Sequence, residues 1–118
     1  MAGSREPRGR QRGNGGEDPV NLIAALNHEI RRQVLRRLEA SDDALSPAQL
    51  ARSLKRPLGT VSYHVRVLAG YRAARRVAEV PVRGAVEHFY VSTLEGNELA
   101  QALLEETRAG DEAPKQGS

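Results

Sequence analysis

A stretch near the middle of the chain, PLGTVSYHVRVLAG over residues 57–70, has the apolar spacing of a helix packed on a core. At 100° per residue, its apolar side follows the i, i+3, i+4, i+7 pattern and consists of Val61, His64, Val65 and Leu68. The opposite side is small, hydroxylated, aromatic and basic, and it contains no acidic residue. We predict a helix here whose outer side suits a groove lined with phosphates and base edges.

Two helices are predicted upstream from the same periodicity. Apolar residues recur at helical spacing over 19–26 and again over 28–39, where arginines occupy the remaining surface. Asn27 stands between the two segments and belongs to the residue types that commonly cap helices. We therefore expect Asn27 to be the N-cap of the second helix.

A third helix, over 47–54, has a strong start signal. Ser46 can cap it, Pro47 suits the first helical position, and Gln49 can complete a capping box. Lys55-Arg56 then form a short turn into the helix over 57–70. Two helices joined in this way predict a helix-turn-helix.

Beyond the central helix the apolar period changes from 3.6 to 2. Residues 73–80 and 85–91 are predicted as the strands of a hairpin, or wing, over 73–91. The turn reads Pro-Val-Arg-Gly and places Arg83 near the tip, and we expect Phe89 to point inward. The order helix, tight turn, helix, hairpin predicts a mainly α (α+β) winged helix-turn-helix.

Ser92 or Thr93 should cap a last helix over about 94–106. One folded domain is expected over residues 19–107. The flanking segments 1–18 and 108–118 are polar and lack periodicity, so we expect both to be disordered.

Basic charge is concentrated around the predicted helix-turn-helix and wing. The whole chain carries a net charge of +3, but residues 45–91 hold eight Lys or Arg and two acids, a local +6. Residues 92–118 hold two basic and six acidic residues, a local −4. This distribution indicates binding to a polyanion, and a merely solvated basic surface is the alternative.

Several function classes lack the residues they need. The chain has no cysteine, which excludes disulfides, thiolate zinc sites and cysteine nucleophiles. We find no nucleophile–base pair, paired carboxylates or Gly-rich phosphate loop, so we predict neither an enzyme nor a cofactor. There is no apolar run of membrane-spanning length and no signal peptide, and we expect a cytoplasmic, nucleoid-associated protein.

Four segments within residues 22–93 resemble the ArsR-type family of bacterial winged-helix repressors. They read ALNHEIRRQVLRRL, LSPAQLARSL, TVSYHVRVLA and EHFYVST. The resemblance implies the order helix-helix-helix-helix-strand-strand-helix and a homodimer built on the first and last helices. It also implies sequence-specific operator binding that usually represses transcription.

The chain departs from that family in three places. Metal-sensing members use cysteines in the region of the third helix, or acid/His pairs in the last helix, whereas this chain has no Cys and its last helix has no His. His28 and His88 also lack partners at ligand spacing, so we predict no metal. The helix over 57–70 corresponds to the recognition helix, which enters the major groove, and the turn after it should be rebuilt around Gly70. Pro57 and Leu58 replace the polar residues that often open this helix, so base preference should differ.

Candidate DNA-binding residues lie on the recognition helix and at the wing tip. They are Gly59, Thr60, Ser62, Tyr63, His64, Arg66 and Arg83. Tyr63 could touch a thymine methyl or a phosphate, or pack on the wing. His64 could be a half-buried core residue or a phosphate contact. Thr60 and Ser62 could meet phosphates or only stabilise the first turn, and Arg83 could contact the minor groove or a phosphate, or remain solvated.

The first and last helices carry more apolar residues than so small a core needs. This surplus predicts a homodimer interface, with these residues: Val20, Ile23, Leu26, Leu99, Leu103 and Leu104. The sequence thus predicts a homodimeric, sequence-specific regulator that binds double-stranded DNA, and the resemblance implies that it is a repressor. The alternative is a winged-helix module for protein–protein association without DNA binding.

Overall fold

The structure, a computed structural model, describes residues 19–112 as five helices and one two-stranded hairpin. In chain order the elements are α1 (Pro19–Ala25), α2 (Glu29–Ala40), α3 (Pro47–Leu54), α4 (Leu58–Gly70), β1 (Ala74–Val82), β2 (Ala85–Ser92) and α5 (Glu98–Glu112). The predicted order of elements and the predicted winged helix-turn-helix fold are confirmed. The predicted tail over 1–18, and residues 113–118 of the second tail, lie outside the described residues.

The core lies where α2, α3 and α4 converge. Leu35 of α2 and Leu50 of α3 are fully buried, and so are the apolar residues on one side of α4. All four positions predicted from the spacing on α4 face this core. Each such buried Leu or Val contributes about 1.5–3 kcal/mol of transfer free energy. This packing fixes which side of α4 faces solvent.

The start of α3 is held by the predicted capping box. The Ser46 hydroxyl accepts a hydrogen bond from the Gln49 backbone N–H at 3.2 Å, and the Gln49 side-chain carbonyl accepts one from the Ser46 N–H at 2.9 Å. Both donors would otherwise be unpaired at the helix start. The turn to α4 follows through Lys55, which takes the left-handed conformation at φ 58°.

The N-cap of α2 is His28 and not Asn27, so that prediction is wrong. The Asn27 N–H still donates to the Ala24 carbonyl at 3.2 Å and closes the last turn of α1. His28 has an extended backbone, with φ −157° and ψ 131°, and its Nδ1 accepts from the Ile30 N–H at 3.1 Å. A neutral imidazole can serve as a cap in this way because Nδ1 keeps a free lone pair.

The turn after α4 is built on Arg72 and not on Gly70. Gly70 remains helical, whereas Arg72 adopts φ 67°. The Ala73 N–H then reaches back to the Leu68 carbonyl at 2.9 Å, which satisfies one of the last carbonyls of the helix.

The wing is a hairpin with a two-residue turn. Arg83 and Gly84 both have positive φ, 51° and 83°, as a tight turn matched to the strand twist requires. A bulge interrupts the pairing between Arg76 and Ala78. Beyond the bulge the two strands extend away from the core, and their residues are mostly exposed.

The inward residue of β2 is Tyr90, which corrects the expectation for Phe89. Leu45 forms a bridge with Tyr90, exchanging backbone hydrogen bonds of 3.0 and 2.9 Å. At the base of the hairpin Ala74 and Tyr90 are buried, while Phe89 is half-buried. The Leu45 bridge holds the hairpin with the Tyr90 side against the helices.

Helix α5 begins later than predicted, because its cap is Asn97. The Asn97 Oδ1 accepts from the Ala100 N–H at 2.9 Å. The two hydroxyls expected to cap this helix are used earlier in the chain. Thr93 Oγ1 donates to the Arg72 carbonyl at 2.5 Å, and Ser92 Oγ accepts from the Leu94 N–H at 3.1 Å.

Helix α5 also ends later than predicted, so residues 108–112 are helical rather than part of a disordered tail. Asp111 is buried and forms a two-pronged pair with Arg32 of α2, at 2.8 and 2.9 Å. Arg36 Nη1 lies 2.9 Å from the same carboxylate. These contacts attach the last turn of α5 to α2.

Candidate nucleic-acid interface

The outer side of α4 presents most of the predicted DNA-binding residues together. Gly59, Tyr63 and Arg66 are exposed, with Tyr63 at 55%, and Thr60 and Ser62 are half-buried beside them. They share this side because the opposite one is packed into the core. The exposed residues offer hydroxyl and guanidinium groups, which are the donors used against phosphates and base edges.

His64 is separated from this set, since the structure places it in the core at 6% exposure. Its ring packs on His28 with centroids 4.3 Å apart, and the Tyr63 ring meets it edge-on at 5.1 Å. Burial lowers the pKa of His64, and the neighbouring His28 and Arg31 lower it further. A buried, neutral imidazole packs beneath the Tyr63 ring and is not available to DNA. The position of His64 therefore fits a core residue better than a phosphate contact.

The tip of the wing presents Arg83 to solvent. Within residues 19–112, neither Arg83 nor Arg66 forms a hydrogen bond or an ion pair with another described residue. Both guanidinium groups can therefore donate hydrogen bonds to a bound ligand. Arg75 is exposed nearer the base of the hairpin. The exposed basic side chains therefore follow both α4 and the wing.

A groove of about 250 Å³ runs between α4 and the wing. Its walls come from α3, α4 and β2 and are formed by Pro47, Ala48, Leu58, Ser62, Arg66, Val86, Glu87, His88 and Tyr90. Leu58 and Val86 are apolar residues exposed on opposite walls, at 52% each. The set of site residues predicted from the sequence omitted both. The only sequence signal for Leu58 was that it stands where the resembled family often has a polar residue. No periodic pattern in the sequence marks Val86.

The residues predicted for a dimer interface divide into two groups. Ile23 of α1 and Leu99 of α5 are exposed, at 54% and 45%, and Leu103 is half-buried. Leu26 and Leu104 belong instead to the core of the single chain. A buried side chain leaves no surface for a second subunit, which corrects the prediction for these two residues.

The remaining predicted dimer residue, Val20, lies within α1, and its side chain falls outside the described residues.

Among residues 19–112, no three His, Asp or Glu side chains converge as metal ligands. In the same range no helix is long and apolar enough to cross a membrane.

Comparison with known proteins agrees with the helix-turn-helix arrangement described above. Residues 26–77 match a family described as a helix-turn-helix domain, and this segment contains α2, α3, α4 and the start of the wing. A similar solved structure is a possible transcriptional regulator from Methanosarcina mazei Go1. It is 21% identical with a TM-score of 0.52, over 80% of this chain and 83% of that chain, and at this identity the likeness shows a shared fold. No curated protein sequence matches the chain.

Proposed function

We propose that this protein is a transcriptional regulator that binds double-stranded DNA, with α4 in the major groove and the wing beside it. The observation that carries the proposal is the acid-free outer side of α4, which exposes Tyr63 and Arg66 on a helix fixed by core packing. The helix-turn-helix family match agrees with it. The family and the fold point to a regulator and away from an enzyme.

The charge distribution supports phosphate binding by the helix-turn-helix and the wing. Residues 45–91, which include α3, α4 and the wing, have a local net charge of +6. Phosphate contacts supply much of the affinity of such proteins and make it salt-dependent. Arg66 and Arg83 form no hydrogen bond or ion pair with another described residue, so both are well suited to this contact.

We propose further that the protein acts as a homodimer. Ile23 and Leu99 are large apolar side chains exposed on α1 and α5, the two helices that would meet around a two-fold axis. Two copies of α4 would then face half-sites about 34 Å apart. Repression is the direction favoured by the resemblance to ArsR-type regulators.

The second candidate function is protein–protein association through the wing. Its support is a group of exposed valines on the hairpin, namely Val77, Val80, Val82 and Val86. A module of this kind would bind a partner protein and would leave DNA unbound.

Binding of the wild-type protein and two arginine variants to duplex DNA tests the proposal. Genomic fragments are titrated at several salt concentrations with wild type, Arg66→Ala and Arg108→Ala. Arg108 is a matched control because it lies on α5, paired with Glu105 and Glu112. We expect Arg66→Ala to bind more weakly and Arg108→Ala to bind like wild type. Absence of wild-type binding at low salt would contradict the proposal and favour the protein-association function.

A further inference from the structure

The first residue of α4 presents an apolar side chain to solvent. Leu58 is 52% exposed, whereas the apolar residues on the core side of the same helix are buried. It follows the N-cap Pro57 directly and so lies in the first turn. The first turn of a recognition helix is the part whose side chains contact base edges.

Gly59, the next residue, points to a close approach of something outside the chain. It has no positive φ, and a Cβ atom built on it would meet nothing within 4 Å. Neither the backbone conformation nor packing within the chain therefore requires glycine here. Glycine is less favourable than alanine in a helix. A common reason for such a glycine is that a ligand must come near the backbone.

The side chains along the same edge of α4 are of two kinds. Leu58, Ser62 and Arg66 follow one another at i, i+4, i+8 and all line the groove toward the wing. Ser62 and Arg66 can hydrogen-bond to phosphates or to polar base edges. Leu58 can offer only apolar contact.

Only one of the four unmodified bases presents an apolar group in the major groove. Guanine, adenine and cytosine present hydrogen-bond donors and acceptors, while thymine adds a C5-methyl group. We propose that Leu58 contacts a thymine methyl and is a specificity-determining residue. The inference rests on the proposed function, because it requires α4 to lie in the major groove.

Replacement of single thymines by deoxyuridine tests this assignment, since deoxyuridine lacks only the methyl group. A duplex is first selected from a random library by binding to wild-type protein. Each thymine is then replaced in turn, and affinity is measured by titration. We expect at least one replacement to weaken wild-type binding about fourfold, the equivalent of the ~0.8 kcal/mol of a buried methyl group.

Three variants assign the effect to Leu58. Leu58→Ala should bind the thymine duplex more weakly and lose the response to deoxyuridine at that position. Leu58→Met keeps an apolar side chain and should retain the response. Val77→Ala is the matched control, because Val77 is also an exposed apolar residue but lies on the wing and does not line the groove. It should respond to deoxyuridine as wild type does.

The outcomes separate this inference from the function on which it rests. If the library yields no enriched duplex, the proposed function fails and the inference fails with it. If a duplex is enriched but no deoxyuridine position matters, the assignment of Leu58 alone is overturned. An equal response in wild type and Leu58→Ala would overturn it in the same way. Thermal unfolding of Leu58→Ala verifies that the variant is folded.

Discussion

At the residue scale, Gly59 should affect both the stability of α4 and the binding of DNA by this helix. Since a Cβ atom at this position meets nothing within 4 Å, Gly59→Ala should raise the free energy of unfolding by up to about 1 kcal/mol. The added methyl would stand on the exposed side of α4, where DNA approaches in the proposed complex. We expect a more stable protein that binds DNA more weakly, measured by urea unfolding and by titration of one duplex. Tighter binding by the variant would contradict a close approach at Gly59.

Tyr63 and Arg83 should affect binding in different ways. Arg83 lies at the wing tip, so Arg83→Ala should weaken binding to selected and scrambled duplexes by similar factors. The slope of log affinity against log salt should become shallower by about 0.9 for each lost phosphate contact. Tyr63→Ala should instead reduce the preference for the selected duplex by roughly 1–3 kcal/mol if the ring contacts a base. An unchanged preference would show that Tyr63 does not read bases.

The packed pair of His28 and His64 should make stability pH-dependent. Burial lowers the pKa of both imidazoles, and Arg31 lowers both further, while Glu29 partly offsets this at His28. Below the unfolded-state pKa of about 6.5 the unfolded chain then binds more protons than the folded one. The contribution of this pair to the free energy of unfolding is therefore full above that pH and decreases as the pH falls below it.

Protonation also removes the lone pair with which His28 caps α2. We expect the urea midpoint of wild type to fall between pH 7.5 and 5.5, and that of His28→Asn, which keeps a capping side chain, to fall less. His88→Asn on the wing is the control and should behave as wild type does. An equal fall in His28→Asn and wild type would exclude the pair as the cause.

At the element scale, local rules predicted α3 and α4 well, but they misassigned the N-caps of α2 and α5 and the end of α5. The box of Ser46 and Gln49 and the apolar stripe of α4 depend on residues close in sequence, so the pattern contains the whole signal. The cap at His28 depends instead on where the last turn of α1 closes. The end of α5 depends on Asp111 meeting α2, a contact across 79 positions that no local pattern encodes.

The attachment of α5 predicts the effect of Asp111→Asn. Hydrogen bonds from Arg32, and more weakly from Arg36, hold the pKa of Asp111 below its usual value. The pair therefore stabilises the fold above a pH of about 3.8, the unfolded-state value, and less as the pH falls below it. Asp111→Asn should reduce the free energy of unfolding by about 1–3 kcal/mol at pH 7.

Amide hydrogen exchange measures the same effect locally. Exchange should become faster in the last turn of α5 in Asp111→Asn, because that turn loses its link to α2. Glu112→Gln is the control, since Glu112 is exposed and pairs only with Arg108 among the described residues. Similar exchange in wild type and Asp111→Asn would show that this ion pair does not hold the helix.

At the scale of the whole molecule, the apolar surface available for a second subunit is narrower than the sequence predicted. Leu26 and Leu104 fill the core, so the predicted interface reduces to Ile23, Leu99 and the half-buried Leu103 among the described side chains. Periodicity shows which side of a helix is apolar. It does not show whether that side is covered by its own chain or by a partner.

Association should therefore depend on Ile23 and Leu99. We expect wild type to be dimeric by light scattering at tens of micromolar, and Ile23→Glu or Leu99→Glu to be monomeric and folded. Val80→Glu is the control, because Val80 is also exposed but lies on the wing. A monomeric wild type, or charged variants that remain dimeric, would contradict an interface on α1 and α5.

Chemical footprinting on a selected duplex tests most directly whether α4 reads the major groove. Methylation of guanine N7 reports major-groove access, and hydroxyl-radical cleavage reports contact with the sugar–phosphate backbone. The proposed complex predicts two protected major-groove patches on one face of the duplex, with centres about 34 Å apart. In Arg66→Ala the protection should weaken in both patches. Backbone protection with every guanine N7 still reactive, or no protection at all, would contradict the placement of α4 in the groove.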